Sequence, residues 1–132
     1  MSDKIEKPDS EWRKELSPQQ YQVLRQEATE RPLSSALNKE HRAGTFMCAG
    51  CGNALFKSDS KFESGTGWPS FFDALPGALE TRVDRKLFME RTEYHCARCG
   101  GHQGHVFEDG PDPTGLRYCN NGVALRFIED KD

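Results

Sequence analysis

The 132-residue chain has few apolar residues and no long apolar run. Hydrophobic residues make up 35% of it and charged residues 30%, and each uninterrupted apolar stretch is only a few residues long. This pattern excludes a transmembrane helix, and the charged N-terminus lacks the apolar segment of a signal peptide. We therefore expect a single small domain in the cytoplasm, with no membrane partner.

The chain also has no excess of basic charge. Its 18 Lys and Arg residues stand against 21 Asp and Glu, which gives a net charge of −3. Nucleic-acid binding that does not depend on sequence needs a basic face. Nucleic acid is therefore not an expected partner.

Cysteine is scarce, but it is arranged in a pattern. Four of the five cysteines form two Cys-x-x-Cys pairs, Cys48 with Cys51 and Cys96 with Cys99, and each pair is followed by glycine. Such spacing lets one tight turn direct two thiolates at one ion, and two turns complete a tetrahedral site of four thiolates that is closed to substrate. The pattern predicts one structural zinc ion per chain.

Two other interpretations of the paired cysteines exist. One pair would be a thioredoxin-like redox dithiol, but that chemistry is typical of a βαβ context that this sequence lacks. Alternatively, all four cysteines would be small buried residues, which would leave their spacing unexplained.

The remaining patterns predict a mainly β domain with an N-terminal helix. Ser17, Pro18 and Gln20 supply helix-start signals, and we predict a helix over residues 18–29. Residues 1–9 are polar and are interpreted as a mobile tail, which leaves 10–132 as one zinc-stabilised domain. Short antiparallel strands with the cysteine pairs at hairpin turns are predicted over Gly44–Cys48, Ala54–Phe56, Leu79–Val83, Lys86–His95 and Leu116–Ile128.

The fifth cysteine, Cys119, lies outside the pairs and is the thiol left free to react if zinc holds the other four. A lone cysteine in a strand is often a small buried residue. Arg117, His102 and His105 change that interpretation, because cationic or protonatable groups brought to a thiol favour the thiolate and can move a proton. Each of these three residues also has a purely structural interpretation as a solvated or core side chain.

A glycine-rich segment, residues 64–72, places Trp68 beside Phe71 and Phe72. Its glycines and proline favour a rigid loop that presents an indole. The segment is either a hydrophobic corner of the core or the wall of a binding pocket.

At this point five ordered motifs resemble the B-type methionine sulfoxide reductases. They are Gly67-Trp68-Pro69-Ser70-Phe71, Arg91-Thr92-Glu93, Cys96-x-x-Cys99 with His102 and His105-Val106-Phe107, Asp109-Gly110-Pro111, and Arg117-Tyr118-Cys119-x-Asn121. The resemblance covers roughly residues 10 to 128. It implies two antiparallel β-sheets with short N-terminal helices, and reduction of the R epimer of methionine sulfoxide in proteins.

The resemblance also implies roles for individual residues. Cys119 would attack the sulfoxide and become a sulfenic acid, with His105 as the acid and His102 in support. Asn121 and Arg117 would order and polarise the site. The substrate-binding residues implied are Trp68, Phe71 and Thr66.

Thr66 departs from the commoner family pattern, in which a second cysteine resolves the sulfenic acid. We therefore expect an external thiol as reductant, either thioredoxin or glutathione with glutaredoxin, and a monomeric enzyme. Two other classes of function stay open: a non-catalytic zinc module that binds a protein partner, and a zinc ribbon that reads nucleic acid. The first assigns no role to Cys119, and the second needs a basic face.

Overall fold

The computed structural model describes residues 4–85 and 90–130. Within them, two helices are followed by nine strands. The helices are α1 (Asp9–Glu15) and α2 (Pro18–Gln26). The strands are β1 (Gly44–Cys48), β2 (Ala54–Lys57), β3 (Lys61–Phe62), β4 (Ser70–Phe71), β5 (Leu79–Asp84), β6 (Arg91–Cys96), β7 (His102–Phe107), β8 (Arg117–Asn120) and β9 (Leu125–Glu129).

All strand pairs are antiparallel, and they form two sheets. The smaller sheet has the order β2-β1-β9, and the larger has the order β3-β4-β8-β7-β6-β5. The predicted mainly β fold of two antiparallel sheets with short N-terminal helices is confirmed. Neither described helix is long and apolar enough to cross a bilayer.

Aromatic rings from both sheets form the core. Phe46 and Phe56 of the smaller sheet pack on Phe71 of the larger one, with ring centroids 4.9 and 4.1 Å apart. All three side chains are fully buried. Each such ring removes a large apolar area from water when it is buried. A few aromatic residues therefore form much of the core in a chain that has few hydrophobic residues.

Helix α2 begins as predicted and ends earlier. Ser17 accepts a hydrogen bond from the Gln20 amide, and the Gln20 side chain accepts one from the Ser17 amide. This capping box fixes the start. Glu27 adopts a left-handed conformation with φ 59°, which ends the helix at Gln26 rather than at Thr29. Helix α1 has no side-chain cap, so its start could not be predicted from a capping residue.

The predicted strands match the structure except at two places. The segment Leu116–Ile128 is two strands, β8 and β9, separated by a 3₁₀ turn at Gly122–Ala124. The segment Lys86–His95 corresponds to β6 from Arg91 onward, and residues 86–89 lie outside the described residues. Strand β7 was not predicted as a strand, because His102-Gln-Gly-His has no alternation of apolar and polar residues.

Residues 4–8 precede α1 and contact the domain at two points. The Ile5 amide donates to the carbonyl of Arg98 (2.6 Å), and the Lys4 ammonium pairs with Glu80 (2.8 Å). The extent of motion in residues 1–9 stays a prediction.

Candidate active site and metal centre

The two Cys-x-x-Cys pairs lie at the hairpin turns predicted for them. Cys48 ends β1 and Cys51 lies in the turn to β2, while Cys96 ends β6 and Cys99 lies in the turn to β7. The four Sγ atoms lie within 4.8 Å of one another and could hold a metal ion. Because β1 belongs to the smaller sheet and β6 to the larger, an ion bound here would link the two sheets.

Hydrogen-bond donors surround these sulfurs. The amides of Gly50 and Gly101 each donate to a cysteine Sγ at 3.4 Å, and the Gln103 side chain donates to Cys48 Sγ at 3.4 Å. Donors of this kind stabilise thiolates, the form that binds metal. The glycines after each pair, Gly52 and Gly100, have φ values of 80° and 75°, which explains why glycine ends both turns.

Cys119 lies on β8, between two strands that bring polar groups to it. In the strand pairing, Ser70 of β4 is opposite Cys119 on one side, and His105 of β7 is opposite it on the other. A Cβ atom at Gly104 would lie 2.0 Å from the Cys119 carbonyl oxygen, so glycine is needed there for β7 to run beside β8.

The Cys119 side chain opens into a cavity of about 150 Å³. The residues that line this cavity are Thr29, Thr66, Trp68, Arg91, His105, Phe107, Arg117, Cys119 and Asn121. The fold therefore brings together six residues predicted from the sequence: Cys119, His105, Arg117, Asn121, Trp68 and Thr66. The pocket interpretation of the Trp68 loop agrees with this geometry.

Burial raises the pKa of the Cys119 thiol above its usual range. The Thr66 hydroxyl, 3.7 Å from Sγ, and the Arg117 guanidinium both act in the opposite direction. The expected thiolate-favouring effect of Arg117 is therefore present, but desolvation outweighs it. The net effect favours the protonated thiol.

Arg117 is held in place from two sides. Its guanidinium donates to both carboxylate oxygens of Asp109, at 2.8 and 3.1 Å, and it stacks 4.4 Å from the Phe107 ring centroid. A planar guanidinium clamped by a bidentate carboxylate and an aromatic face has little freedom. Its charge therefore stays fixed at the cavity wall.

His105 is oriented by a buried carboxylate. Its Nε2 atom lies 3.0 Å from Oδ2 of Asp84, and Arg91 donates to the same oxygen at 3.3 Å. Because an ionised carboxylate only accepts hydrogen bonds, this contact places a proton on Nε2 and fixes the ring in the cavity wall. Asp84 was not singled out by sequence analysis, since it lies 21 residues from His105.

His102 lies behind His105 and does not line the cavity. Its side chain is buried, its Nδ1 atom is 3.7 Å from Oε2 of Glu93, and its ring centroid is 5.6 Å from that of His105. Glu93 in turn accepts a hydrogen bond from Arg82. Any effect of His102 on a ligand would therefore pass through the His105 ring.

Phe71 was expected to bind substrate, but it lies in the core. Its ring stacks on Phe56 and none of its surface is exposed. The inward-facing position on β4 takes the ring away from the cavity, so Phe71 contributes packing beneath the site.

Glu30 connects three parts of the site and was missed in the sequence. Its buried carboxylate accepts hydrogen bonds from the amides of Gly122 and Val123, at 2.7 and 2.8 Å. The Trp68 indole donates to the Glu30 carbonyl (3.0 Å), and the Glu30 amide donates to the Asn121 side chain (3.0 Å). These partners lie 38 to 93 residues away, so no local pattern could have indicated them.

Comparison with known proteins supports the resemblance to the B-type methionine sulfoxide reductases along nearly the whole chain. The SelR domain profile matches residues 16–129. The peptide methionine sulfoxide reductase MsrB of Bradyrhizobium diazoefficiens is 58% identical over 129 residues, which cover 95% of this chain and 91% of that protein. The MsrB of Methanosarcina mazei is 53% identical over 98% of this chain and 93% of its own length.

A solved structure, that of the Mis18 'Yippee-like' domain, shares the fold. It covers 69% of this chain and 100% of its own, with a TM-score of 0.56 and 18% sequence identity. Identity this low shows the fold alone. The SelR match and the relatives above 50% identity show that the chain belongs to the MsrB family of peptide methionine sulfoxide reductases.

Proposed function

We propose that this enzyme reduces the R epimer of methionine sulfoxide in proteins, with Cys119 as the nucleophile. The observation that carries the proposal is the position of Cys119. It shares a cavity with an oriented imidazole, a fixed guanidinium and an indole, and it lies on β8, away from the two hairpin turns that carry the clustered cysteines. This division separates a reactive thiol from the thiols that would hold a metal.

The proposed step transfers one oxygen atom. Cys119 Sγ attacks the sulfoxide sulfur, the S–O bond of the substrate breaks, and the oxygen ends on Cys119 as a sulfenic acid. Methionine sulfur gains two electrons and the cysteine sulfur loses two. No net proton is consumed: the departing oxygen keeps the proton from His105 as the sulfenic acid hydroxyl, and the Cys119 thiol proton restores the one that His105 gave.

The cavity residues have distinct proposed tasks. Because Asp84 holds the Nε2 proton, His105 gives the sulfoxide oxygen a proton from Nδ1. The Arg117 charge and the Asn121 amide polarise the S–O bond. Trp68 contacts the substrate methyl group. Thr66 lies beside Cys119 Sγ, the atom that the substrate methyl sulfoxide approaches. His102 acts through His105 as a positioning residue.

Recycling is assigned to an external thiol. A thiol R–SH attacks the sulfenic acid on Cys119, releases water and leaves a mixed disulfide, which a second thiol reduces. Thioredoxin, or glutathione with glutaredoxin, is the proposed reductant class. We also propose that the protein acts as a monomer in the cytoplasm.

The most direct test uses separate R and S epimers of a methionine sulfoxide peptide with dithiothreitol as reductant. We expect turnover of the R epimer alone. Equal turnover of both epimers would contradict the stereochemical part of the proposal, and turnover of neither would contradict the reaction.

The identity of the metal is also a proposal. Four thiolates placed tetrahedrally at about 2.3 Å from zinc lie about 3.8 Å from one another. The Sγ atoms of Cys48 and Cys99 are 3.7 Å apart, and those of Cys51 and Cys96 are 3.6 Å apart. This spacing and the all-sulfur donor set fit one structural zinc ion, which would lock the two sheets together and take no part in the reaction.

Replacing Cys48 by serine is expected to remove zinc and to lower Tm by more than about 10 °C. Zinc binding contributes roughly 10–16 kcal/mol in small zinc domains, which is comparable with the whole free energy of unfolding of a domain, roughly 5–15 kcal/mol. Metal content and Tm would be measured on the same samples, with Cys119→Ser as the matched control. Complete loss of zinc with unchanged Tm would refute the structural role.

Replacing His105 by asparagine is expected to lower kcat by about 10²–10⁴-fold with little change in KM. The reason is that a proton donor acts in the transition state, whereas a substrate contact acts in both states. His41, an exposed residue paired with Glu63, provides the control, since His41→Asn removes an imidazole away from the cavity. If only KM rose, His105 would be a substrate contact rather than the acid.

A further inference from the structure

A chain of three hydroxyl groups leads from the Cys119 sulfur into the protein. Thr66 Oγ1 lies 3.7 Å from Cys119 Sγ, Ser64 Oγ lies 2.8 Å from Thr66 Oγ1, and Ser70 Oγ lies 2.7 Å from Ser64 Oγ. The chain ends where the Ser70 hydroxyl donates to the carbonyl oxygen of Trp68 (3.1 Å). Because Ser70 is opposite Cys119 in the strand pairing, the chain loops back beside the same residue.

The proton of each hydroxyl has a defined direction when Cys119 is a thiol. A carbonyl oxygen only accepts hydrogen bonds, so Ser70 donates its single hydroxyl proton to the Trp68 carbonyl oxygen. Ser64 must then donate to Ser70, and Thr66 must donate to Ser64. Thr66 therefore has no proton left for the sulfur and accepts the S–H of Cys119.

The direction must reverse when the sulfur, or an oxygen bound to it, carries a negative charge, as in a thiolate or a sulfenate. A thiolate accepts and cannot donate, so Thr66 must turn its hydroxyl toward Cys119, Ser64 must donate to Thr66, and Ser70 must donate to Ser64. In this state Ser70 gives up its bond to the Trp68 carbonyl. The chain thus has two arrangements, and the state of Cys119 selects between them.

We propose that the Thr66–Ser64–Ser70 hydroxyl chain reverses when Cys119 is oxidised to a sulfenate and then holds the negatively charged sulfenate oxygen. The inference rests on the proposed function, since that oxygen comes from the substrate. Thr66 and Cys119 line the same cavity, so an oxygen that arrives through it lies beside the Thr66 hydroxyl. Thr66 is thereby assigned a contact to the reacting sulfur, and Ser64 becomes a positioning residue that acts through it. Ser70 closes the chain and also interacts with the Cys119 side chain directly.

The hydroxyl chain has a specific role in this sequence. Position 66 carries no resolving thiol, so the sulfenic acid must persist until an external thiol arrives. A sulfenate held by hydrogen bonds is a weaker nucleophile toward peroxide, which would otherwise add a second oxygen, release water and leave an inactive sulfinic acid. The hydroxyl chain protects the intermediate during that wait.

The first experiment measures the lifetime of the sulfenic acid. Each enzyme receives one equivalent of substrate without reductant, dimedone is added after increasing delays in dilute hydrogen peroxide, and mass spectrometry counts trapped and sulfinic Cys119. In Thr66→Val, the sulfenic acid on Cys119 is expected to convert to the sulfinic acid about tenfold faster than in the wild type. The reason is the loss of a hydrogen bond to a polar, partly charged acceptor. Thr66→Ser should restore the lifetime, and Ser64→Ala should shorten it to a smaller extent.

Thr29→Val is the matched control, because Thr29 lines the same cavity outside the hydroxyl chain. It should keep the wild-type lifetime. Equal lifetimes for Thr66→Val and the wild type would overturn the proposal. A short sulfenic-acid lifetime in Thr66→Val, with an unchanged lifetime in Ser64→Ala, would contradict the role of the hydroxyl chain. Only a single hydrogen bond from Thr66 to the oxidised Cys119 would then be supported.

A second experiment needs no substrate, and so separates this inference from the proposed function. The rate of Cys119 alkylation by iodoacetamide is followed against pH in the same variants. Thr66→Val should lower the rate at neutral pH by about tenfold, since the thiolate loses its hydroxyl donor. A rate equal to that of the wild type would contradict the reversal.

The other groups near Cys119 stay the same in these variants. Arg117 on β8, His105 on β7 and Arg91 on β6 line the cavity with it. Burial, and to a lesser extent the Cys119 charge, raises the pKa of Tyr94. Asp84 pairs with His105 and Arg91. If the wild type formed no sulfenic acid but alkylation still depended on Thr66, the proposed function would fail while the hydroxyl chain would stand.

Discussion

Replacing Cys119 by serine is expected to lower kcat by at least about 10³-fold, since loss of the nucleophile costs about 10⁶-fold in a well-studied hydrolase. A hydroxyl at neutral pH is a far poorer nucleophile than a thiolate, and it cannot accept the sulfoxide oxygen as a sulfenic acid. The substitution keeps the size of the side chain. Activity would be measured with the R epimer and dithiothreitol, beside metal content and Tm.

The same variant tests the separation of the two cysteine groups. Cys119 lies on β8, whereas the clustered cysteines lie at the β1–β2 and β6–β7 turns. Metal content and Tm should therefore match the wild type. Substantial activity in Cys119→Ser would refute the assignment of the nucleophile, and a loss of metal would refute the separation.

Replacing Thr66 by cysteine is expected to change how the enzyme is recycled. The 3.7 Å distance from Thr66 Oγ1 to Cys119 Sγ is about 1.7 Å longer than an S–S bond, a gap that a small loop movement can close. Gly65 and Gly67 flank the position with φ values of 77° and 94°, and such residues tolerate backbone adjustment. After one turnover, the new thiol should attack the sulfenic acid, release water and form an internal disulfide.

Mass spectrometry distinguishes the two outcomes. Without reductant, the wild type should gain one oxygen on Cys119, whereas Thr66→Cys should lose two hydrogens and fail to react with dimedone. Thr66→Ser is the control and should still trap dimedone. Persistence of a trappable sulfenic acid in Thr66→Cys would show that the loop cannot bring the two sulfurs together.

The parts of the fold that could be located from the sequence are those with local signals. Two residues between cysteines, a glycine after each pair and a capping box at Ser17 act over a few positions, so the metal turns and the start of α2 were predictable. Strand β7 had no such signal. Its first residues are polar, and it needs Gly104 because β7 must approach β8 closely at that position.

The site shows the same division between local motifs and distant partners. Cys119, His105 and Arg117 stand in short motifs, whereas Asp84 and Glu30 act through contacts 21 and about 92 residues away. Buried carboxylates of this kind are recognisable only when the chain is folded, because their partners are backbone amides and side chains from other elements. The same reason explains the misplacement of Phe71, whose motif did not reveal which face of β4 it occupies.

The pKa of Cys119 gives a third example. Nearby cations were expected to favour the thiolate, and Arg117 does act that way, but burial of the sulfur raises the pKa more than Arg117 lowers it. Burial depends on the whole fold, so its weight could not be judged from residues near position 119.

The central claim is that Cys119 alone carries the oxidation and that the clustered cysteines stay bound to zinc. A single-turnover reaction with one equivalent of the R epimer and no reductant tests it most directly, with dimedone trapping, disulfide mapping and metal content measured on one sample. We predict one methionine per enzyme, a dimedone adduct on Cys119 and full zinc retention. An internal disulfide between Cys119 and any of Cys48, Cys51, Cys96 or Cys99, accompanied by zinc release, would contradict it.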